Sequence, residues 1–104
     1  MSHIANFADL ADNSTTALVI DQRPLLLMRK ADELYIYENR CPHVADTLDP
    51  EGGSVASPDG LLIHCQRHGA EFLSHTGECV AGPCQGERLT PIAHTVANGD
   101  IYLD

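Results

Sequence analysis

Tryptophan is absent from this chain and aromatic residues make up only 5% of it. The large rings that anchor many small cores must therefore be replaced by aliphatic packing and by some other staple. Basic residues are scarce as well. Six Lys and Arg stand against fifteen Asp and Glu, a formal charge of −9, and this excludes nucleic acid as a partner because phosphate would be repelled rather than neutralised. No apolar run approaches the ~20 residues that span a bilayer, and Met1-Ser2-His3 lacks the basic start of a secretory leader. The expected location is cytoplasmic, without a membrane partner. Helical periodicity is nearly missing: only Ile4, Phe7, Leu10 and Ala11 keep a helix-like spacing, enough for about one turn near the N-terminus. No G-x-S-x-G nucleophile motif occurs. His3, His64, His75 and His94 read as polar residues without a carboxylate partner, so no mononuclear iron site of the two-His-one-carboxylate kind is expected. The chain is not expected to be an enzyme by itself.

What remains reads as strands and turns in a single domain spanning 1–104. Ala17 to Ile20 and Leu25 to Met28 are short apolar runs with Arg23-Pro24 expected to bend the chain between them. Leu34 to Tyr37, Leu61 to Ile63 and Ala70 to Leu73 continue the pattern, and Thr76-Gly77 makes a turn. Ile92 to Val96 and Ile101 to Leu103 flank Asn98-Gly99, a strong hairpin signature because both residues tolerate positive φ. The expected class is all-β.

Chemistry concentrates in two short segments. Cys41-Pro42-His43 and Cys65-Gln66-Arg67-His68 each offer one thiol and one imidazole. In a Rieske-type [2Fe–2S] centre one iron keeps two Cys while the other takes two His, so each of two loops must supply one of each. A zinc finger instead gathers its thiols in one pair and its imidazoles in another. A zinc ion on Cys41, His43, Cys65 and His68 nevertheless remains open on these residues alone, since S2N2 suits both metals. Reading any one of the four as a packed thiol or a polar surface ring is reasonable; reading all four that way requires two mixed pairs by chance. Two disulfides of a secreted mini-protein are not expected, because a leader is missing and two cysteines already sit in the mixed pairs. Cys79 and Cys84, five positions apart, are read as small packing residues, since that spacing does not fix disulfide geometry.

The second pair continues as Gly69-Ala70-Glu71-Phe72 and reaches Thr76-Gly77 and Gly82-Pro83. From about Asn39 to Asp104 the chain resembles the Rieske family, whose members read C-x-H, then C-x-x-H-G-x-x-F, then T-G and G-P. The resemblance implies Cys41 and Cys65 on one iron of a [2Fe–2S] cluster, His43 and His68 on the other, and Gly82-Pro83 in a third loop that covers it. It also implies stacked antiparallel sheets with a cluster-binding lobe, about 40–83, inserted in a base formed by 1–39 and 84–104. Twenty-one residues separate His43 from Cys65, more than small members need. The surplus falls in Asp49 to Ser54 and Ser57 to Gly60, which read as surface turns.

Members from respiratory complexes carry a disulfide between the ligand loops and hydroxyl donors to the sulfurs. Those positions fall here on Asp46, Arg67, Ala70 and Phe72. Without such donors the reduced state is less stabilised, so a potential near the low end of the Rieske range of about −150 to +300 mV is expected. An Asp46–Arg67 ion pair is the expected substitute for the missing link. By resemblance the chain is a ferredoxin-type carrier of single electrons from a flavin-dependent reductase to a terminal oxygenase, of the kind that hydroxylates aromatic rings. The alternatives are the small Rieske subunit of a cytoplasmic nitrite reductase, with that enzyme's large subunit as partner, and a zinc-stabilised interaction module.

Overall fold

The computed structural model describes residues 2–40, 47–49, 52–66, 69–82 and 86–104. Among the described residues nine strands form three antiparallel sheets of three strands each, and the helical content is one 3-10 turn at Phe7–Asp9. The strands are β1 (Ser2–Asn6), β2 (Ser14–Ile20), β3 (Arg23–Lys30), β4 (Glu33–Glu38), β5 (Leu62–His64), β6 (Glu71–Leu73), β7 (Cys79–Ala81), β8 (His94–Ala97) and β9 (Asp100–Leu103). One sheet orders β1-β9-β8 and so joins the two ends of the chain; the second is the meander β2-β3-β4; the third is the meander β5-β6-β7.

The meander β2-β3-β4 is the middle layer, and β3 shows why. Leu25, Leu26, Leu27 and Met28 are all fully buried, and a continuous apolar run of this kind belongs to a strand covered on both faces. Because successive side chains point to opposite faces, the run feeds two cores. Leu26 and Met28 join Tyr37, Ile63 and Phe72 in one. Leu25 and Leu27 join Ile36, Ile101 and Leu103 in the other. Aliphatic side chains thus do the work that large rings do elsewhere, as the composition requires.

The β2–β3 hairpin turns at Asp21-Gln22, both with positive φ (50° and 68°), two positions before the expected bend. Pro24 lies inside β3, opposite Val19. It is tolerated because its carbonyl faces the end of β4, where Asn39 N–H donates to it at 2.9 Å; its missing N–H lies on that same side, beyond the last ladder bond. Asn98 (φ 52°) and Gly99 (φ 83°) make the expected β8–β9 turn. The N-terminal segment departs from the helical reading: Ser2–Asn6 is a strand paired with β9, and only the following residues wind into a 3-10 turn, capped by the Asn6 side chain accepting from Ala8 N–H at 2.9 Å. His3 also differs from expectation, standing 3.1 Å from the Asp100 carboxylate on the exposed face of that sheet.

The stretch between the two ligand segments does hold turns. Gly52 N–H donates to Asp49 O and Gly60 N–H to Ser57 O, and the exposed Asp59 carboxyl sits below its usual range because the Ser57 hydroxyl and the Leu61 N–H donate to it. Between those turns, however, Val55 is fully buried. A reciprocal clip holds it: Thr15 N–H donates to Ser54 Oγ at 3.0 Å and Val55 N–H donates to Thr15 Oγ1 at 2.8 Å.

Candidate metal centre

Cys65 follows directly on β5. The hairpin β5–β6 pairs Leu62 with Leu73, Ile63 with Phe72 and His64 with Glu71, and one further bond, Cys65 N–H to Ala70 O at 2.8 Å, closes the loop between them. Gly69 N–H then donates back to Cys65 O at 3.1 Å, with Gly69 at φ +69°, a conformation that suits glycine. The Cys65 thiol is outside any disulfide and only 1% exposed. It lies in the same core as Ala70, Phe72 and Cys79, so an apolar wall backs it.

The first ligand segment, Cys41 to Asp46, lies outside the described residues, but both its ends are placed. Asn39 closes them. Its Nδ2 donates to Asp49 Oδ1 at 2.8 Å, and its Oδ1 accepts from Leu48 N–H at 2.9 Å. Asn39 is only 4% exposed, a buried polar side chain whose bonds bracket the segment. Leu48 O in turn accepts from Gln66 N–H at 3.1 Å, and the Gln66 amide donates to Gly52 O at 2.8 Å. One chain of hydrogen bonds therefore ties the end of β4 to the far end of the first ligand segment, and that end to the residue after Cys65.

The expected covering loop enters at Gly82 with φ +91°. A Cβ there would stand 2.7 Å from Ala70 Cα and 3.2 Å from Gly69 O, so the loop's stem presses backbone to backbone on the second ligand loop. Farther back, the Tyr37 hydroxyl donates to Ser74 O at 2.8 Å, and burial pushes its phenol up to about 12.

Of the expected ligands the structure places Cys65; Cys41, His43 and His68 lie outside the described residues, as do Asp46, Arg67, Pro83 and Cys84. The positions Ala70 and Phe72 carry buried side chains and no hydroxyl. Cys79 differs from its expected packing role, since it is disulfide-bonded. Asn39, which positions the site, carries nothing in sequence that marks it as such, whereas Gly82 belongs to the Gly82-Pro83 pair expected in the covering loop. The fit to an iron–sulfur group rests on what is placed: a buried thiol at a hairpin mouth, a loop closed by backbone bonds, and an apolar backing, with imidazoles available in the same segments by sequence. These donors suit a soft metal centre.

The Rieske [2Fe-2S] domain model matches residues 2–97. No curated protein matches significantly. Among solved structures, the ferredoxin of carbazole 1,9a-dioxygenase from Nocardioides aromaticivorans IC177 superposes with a TM-score of 0.80 at 24% identity, covering 99% of this chain and 97% of that one. A ferredoxin from Sphingomonas yanoikuyae B1 gives 0.77 at 26% identity, covering 98% and 95%. The terminal oxygenase of carbazole 1,9a-dioxygenase from Novosphingobium sp. KA1 shares the fold, with 0.82 at 20% identity over 97% of this chain and 28% of that one. The hairpin that carries Cys65, the three stacked sheets and a domain match running nearly end to end agree, and they imply one [2Fe–2S] cluster: the chain belongs to the Rieske [2Fe–2S] family.

Proposed function

We propose that this chain is a one-electron carrier whose cluster is held by Cys41 and Cys65 on one iron and by His43 and His68 on the other. The observation that carries the reading is the end-to-end likeness to ferredoxins at about a quarter sequence identity, including the ferredoxin-sized chain from a structure described as a complex of reduced oxygenase and oxidised ferredoxin, at 26% identity over 98% of this chain and 99% of that one. The electron comes from a flavin-dependent reductase and goes to a terminal oxygenase that hydroxylates an aromatic ring, in the cytoplasm. Residues 40–83 form the lobe that holds the cluster and the two ends form its base.

When bound, the cluster supplies a reversible one-electron change between ferric and mixed-valence states. The chain's own residues do the rest. Cys65 contributes thiolate from a closed hairpin loop, and the hydrogen bonds of Asn39 and Gln66 hold the two ligand segments in fixed relation. Two ferric ions, two sulfides and two thiolates sum formally to zero, so the oxidised protein keeps −9 and reduction makes −10. With apolar Ala70 and Phe72 where hydroxyl donors would stand, the midpoint falls near the low end of the family range, about −150 mV.

The test is anaerobic preparation with iron and sulfide analysis, followed by a redox titration and electron delivery from a flavin-dependent reductase using NADH to a Rieske oxygenase. Two irons and two labile sulfides per chain, a low midpoint and transfer that stops on Cys65→Ser or His68→Ala support the reading. A colourless protein holding zinc, or a strongly positive midpoint, overturns it.

A further inference from the structure

β4 is an outer strand of the middle sheet, and half of its free edge is already in use. Glu38 N–H donates to Thr90 O and Ile92 N–H donates to Ile36 O, both at 2.8 Å, so the chain at 90–92 runs antiparallel beside the strand's second half. There the pairing stops. The reciprocal bond from Ile36 N–H to Ile92 O is not made; the His94 ring takes that carbonyl instead, with its Nδ1 donating at 2.9 Å, and His94 then begins β8. Backbone groups face one edge at every second residue, so Leu34 presents its N–H and C=O on the same side as Ile36 and Glu38. Among the described residues Leu34 N–H, Leu34 O and Ile36 N–H bond to nothing. Yet Ile36 is only 2% exposed, and buried backbone donors are nearly always paired.

Space is left beside this edge. A cavity of about 410 Å³ lies on the Tyr35 face, walled by Leu61, Ser74 and His75. Another of about 300 Å³ lies on the Leu34 face, walled by Phe7, His94 and Val96, and a smaller one of about 140 Å³ lies between them, where Ile36, His75 and His94 meet. The two faces are opposite ones: Tyr35 packs toward the core of Phe72 and Leu34 toward that of Ile101. The β2 edge has free groups too, at Ala17 and Val19, but none of these three cavities touches β2. An unpaired edge with a recess on either face is what strand addition requires, since the added backbone bonds to the edge while its successive side chains enter alternate recesses.

We propose that the β4 edge at 34–36 receives an extended segment of a partner protein, with an apolar side chain for the Leu34 face and Lys or Arg flanking it. The apolar requirement comes from Phe7, Leu34 and Val96, the last of them 43% exposed. The basic requirement comes from charge. Asp32 and Glu33 stand at the mouth against Lys30 alone, on a chain that carries −9. A second copy of this chain could offer a strand edge of its own, but it would bring −9 against −9. Leu61 and Ser74 flank the Leu62–Leu73 pair, so the site lies at the end of the β5–β6 hairpin remote from Cys65 and leaves the Cys65 end uncovered. The inference goes beyond the electron-carrier reading and does not depend on it.

The probe is the peptide acetyl-Lys-Val-Thr-Val-Lys-amide, titrated into the holoprotein at low ionic strength beside the same peptide N-methylated at its first Val and at Thr, which blocks both of its edges and keeps its charge. Methylation should weaken binding at least about tenfold, and Asp32→Asn should weaken it about two- to fivefold, as for an exposed ion pair. Val96→Glu adds a charge that attracts the peptide but fills the apolar recess, so it should weaken binding as well. Both substituted residues are exposed in the fold. Bound peptide should slow amide hydrogen exchange at Leu34 and Ile36 and leave Ala17 and Val19 unchanged. If the methylated peptide binds equally, or Val96→Glu binds more tightly, the attraction is one of charge alone and the proposal is overturned. Absence of binding at millimolar peptide overturns it too. So does protection of Leu34 and Ile36 without peptide in a chain that sediments as a dimer, which would make a second copy the occupant.

Discussion

Replacing Asn39 with Ala removes both side-chain bonds that bracket the first ligand segment, and the structure gives the size of the loss. Leu48 N–H, whose residue is fully buried, loses its acceptor at 2.9 Å, and a buried donor left unsatisfied costs about 1–3 kcal/mol. The Asp49 carboxylate loses a donor at 2.8 Å, and a hydrogen bond to a charged group contributes about 1.5–3 kcal/mol. The Asp49 end is only partly buried and recovers some of this from water, so the sum is about 2–4 kcal/mol. Set against the ~5–15 kcal/mol that holds a domain folded, this is a large fraction. For a chain of this length it corresponds to a fall in Tm on the order of 10–20 °C. The assays are thermal unfolding of the holoprotein and the rate at which its visible absorption bleaches under a ferrous chelator. Asn39→Asp sharpens the test. It keeps an acceptor for Leu48 N–H but sets a second carboxylate against the Asp49 carboxylate in place of a donor, so it should be destabilised through the Asp49 end alone, with part of the loss relieved by added salt. Wild-type bleaching and a Tm within about 2 °C in Asn39→Ala would refute the bracket.

Gly82→Ala places a Cβ 2.7 Å from Ala70 Cα and forces a side chain into φ +91°; the conformational term alone costs about 1–2 kcal/mol, so faster bleaching and a lower Tm are expected, while loss of neither would show that the covering stem does not press on the second loop. Burial, then the nearby Tyr35, raises the Tyr37 phenol to about 12, and the Glu33 hydrogen bond does the same for Tyr35. Because the folded values lie above the ordinary 10, this contribution is complete below about pH 10 and declines as pH rises toward 12; Tyr37→Phe, losing its bond to Ser74 O, should be destabilised by about 1 kcal/mol in thermal unfolding. Alkylation of the denatured, unreduced protein should label two of its four cysteines, since Cys79 and its disulfide partner are protected; four labels would show the bond absent in solution.

The parts of the fold that are legible in the sequence are those set by neighbours along the chain. Leu25 to Met28 announces a strand covered on both faces, and Asn98-Gly99 announces a tight hairpin, because the apolar run and the positive-φ pair act locally. β1 is not legible, since its partner is β9, some hundred residues away, and Ile4, Phe7 and Leu10 mimic a helical spacing. β7 is hidden by its shortness and by the irregular register between Glu71 and Phe72. Pro24 misleads because a bend is its usual meaning, whereas here the ladder ends where its N–H would be needed. In the site, Cys65 is legible from its motif, as the family resemblance is. Asn39 is not, because its role consists of bonds to Leu48 and Asp49 that exist only once the loop has closed.

That last point bears on how the metal centre and the fold depend on each other. Asn39 joins β4 to Leu48, Leu48 joins Gln66, and Gln66 follows Cys65; nothing in this relay is a strand, so its bonds are the ones most readily exchanged for water. The sheets on either side are closed by ladders and by fully buried Leu26, Ile63 and Phe72, which do not depend on metal. On the proposed ligand assignment a cluster crosslinks the two segments and so acts on this weakest region, where its binding free energy is added to folding. Iron removal should therefore lower Tm and speed hydrogen exchange at Leu48, Gln66 and Gly69 before it affects the amides of Leu26 or Leu27. Uniform loss of protection through the middle sheet on iron removal would instead mean that the whole fold, and not the ligand segments, is what the cluster holds together.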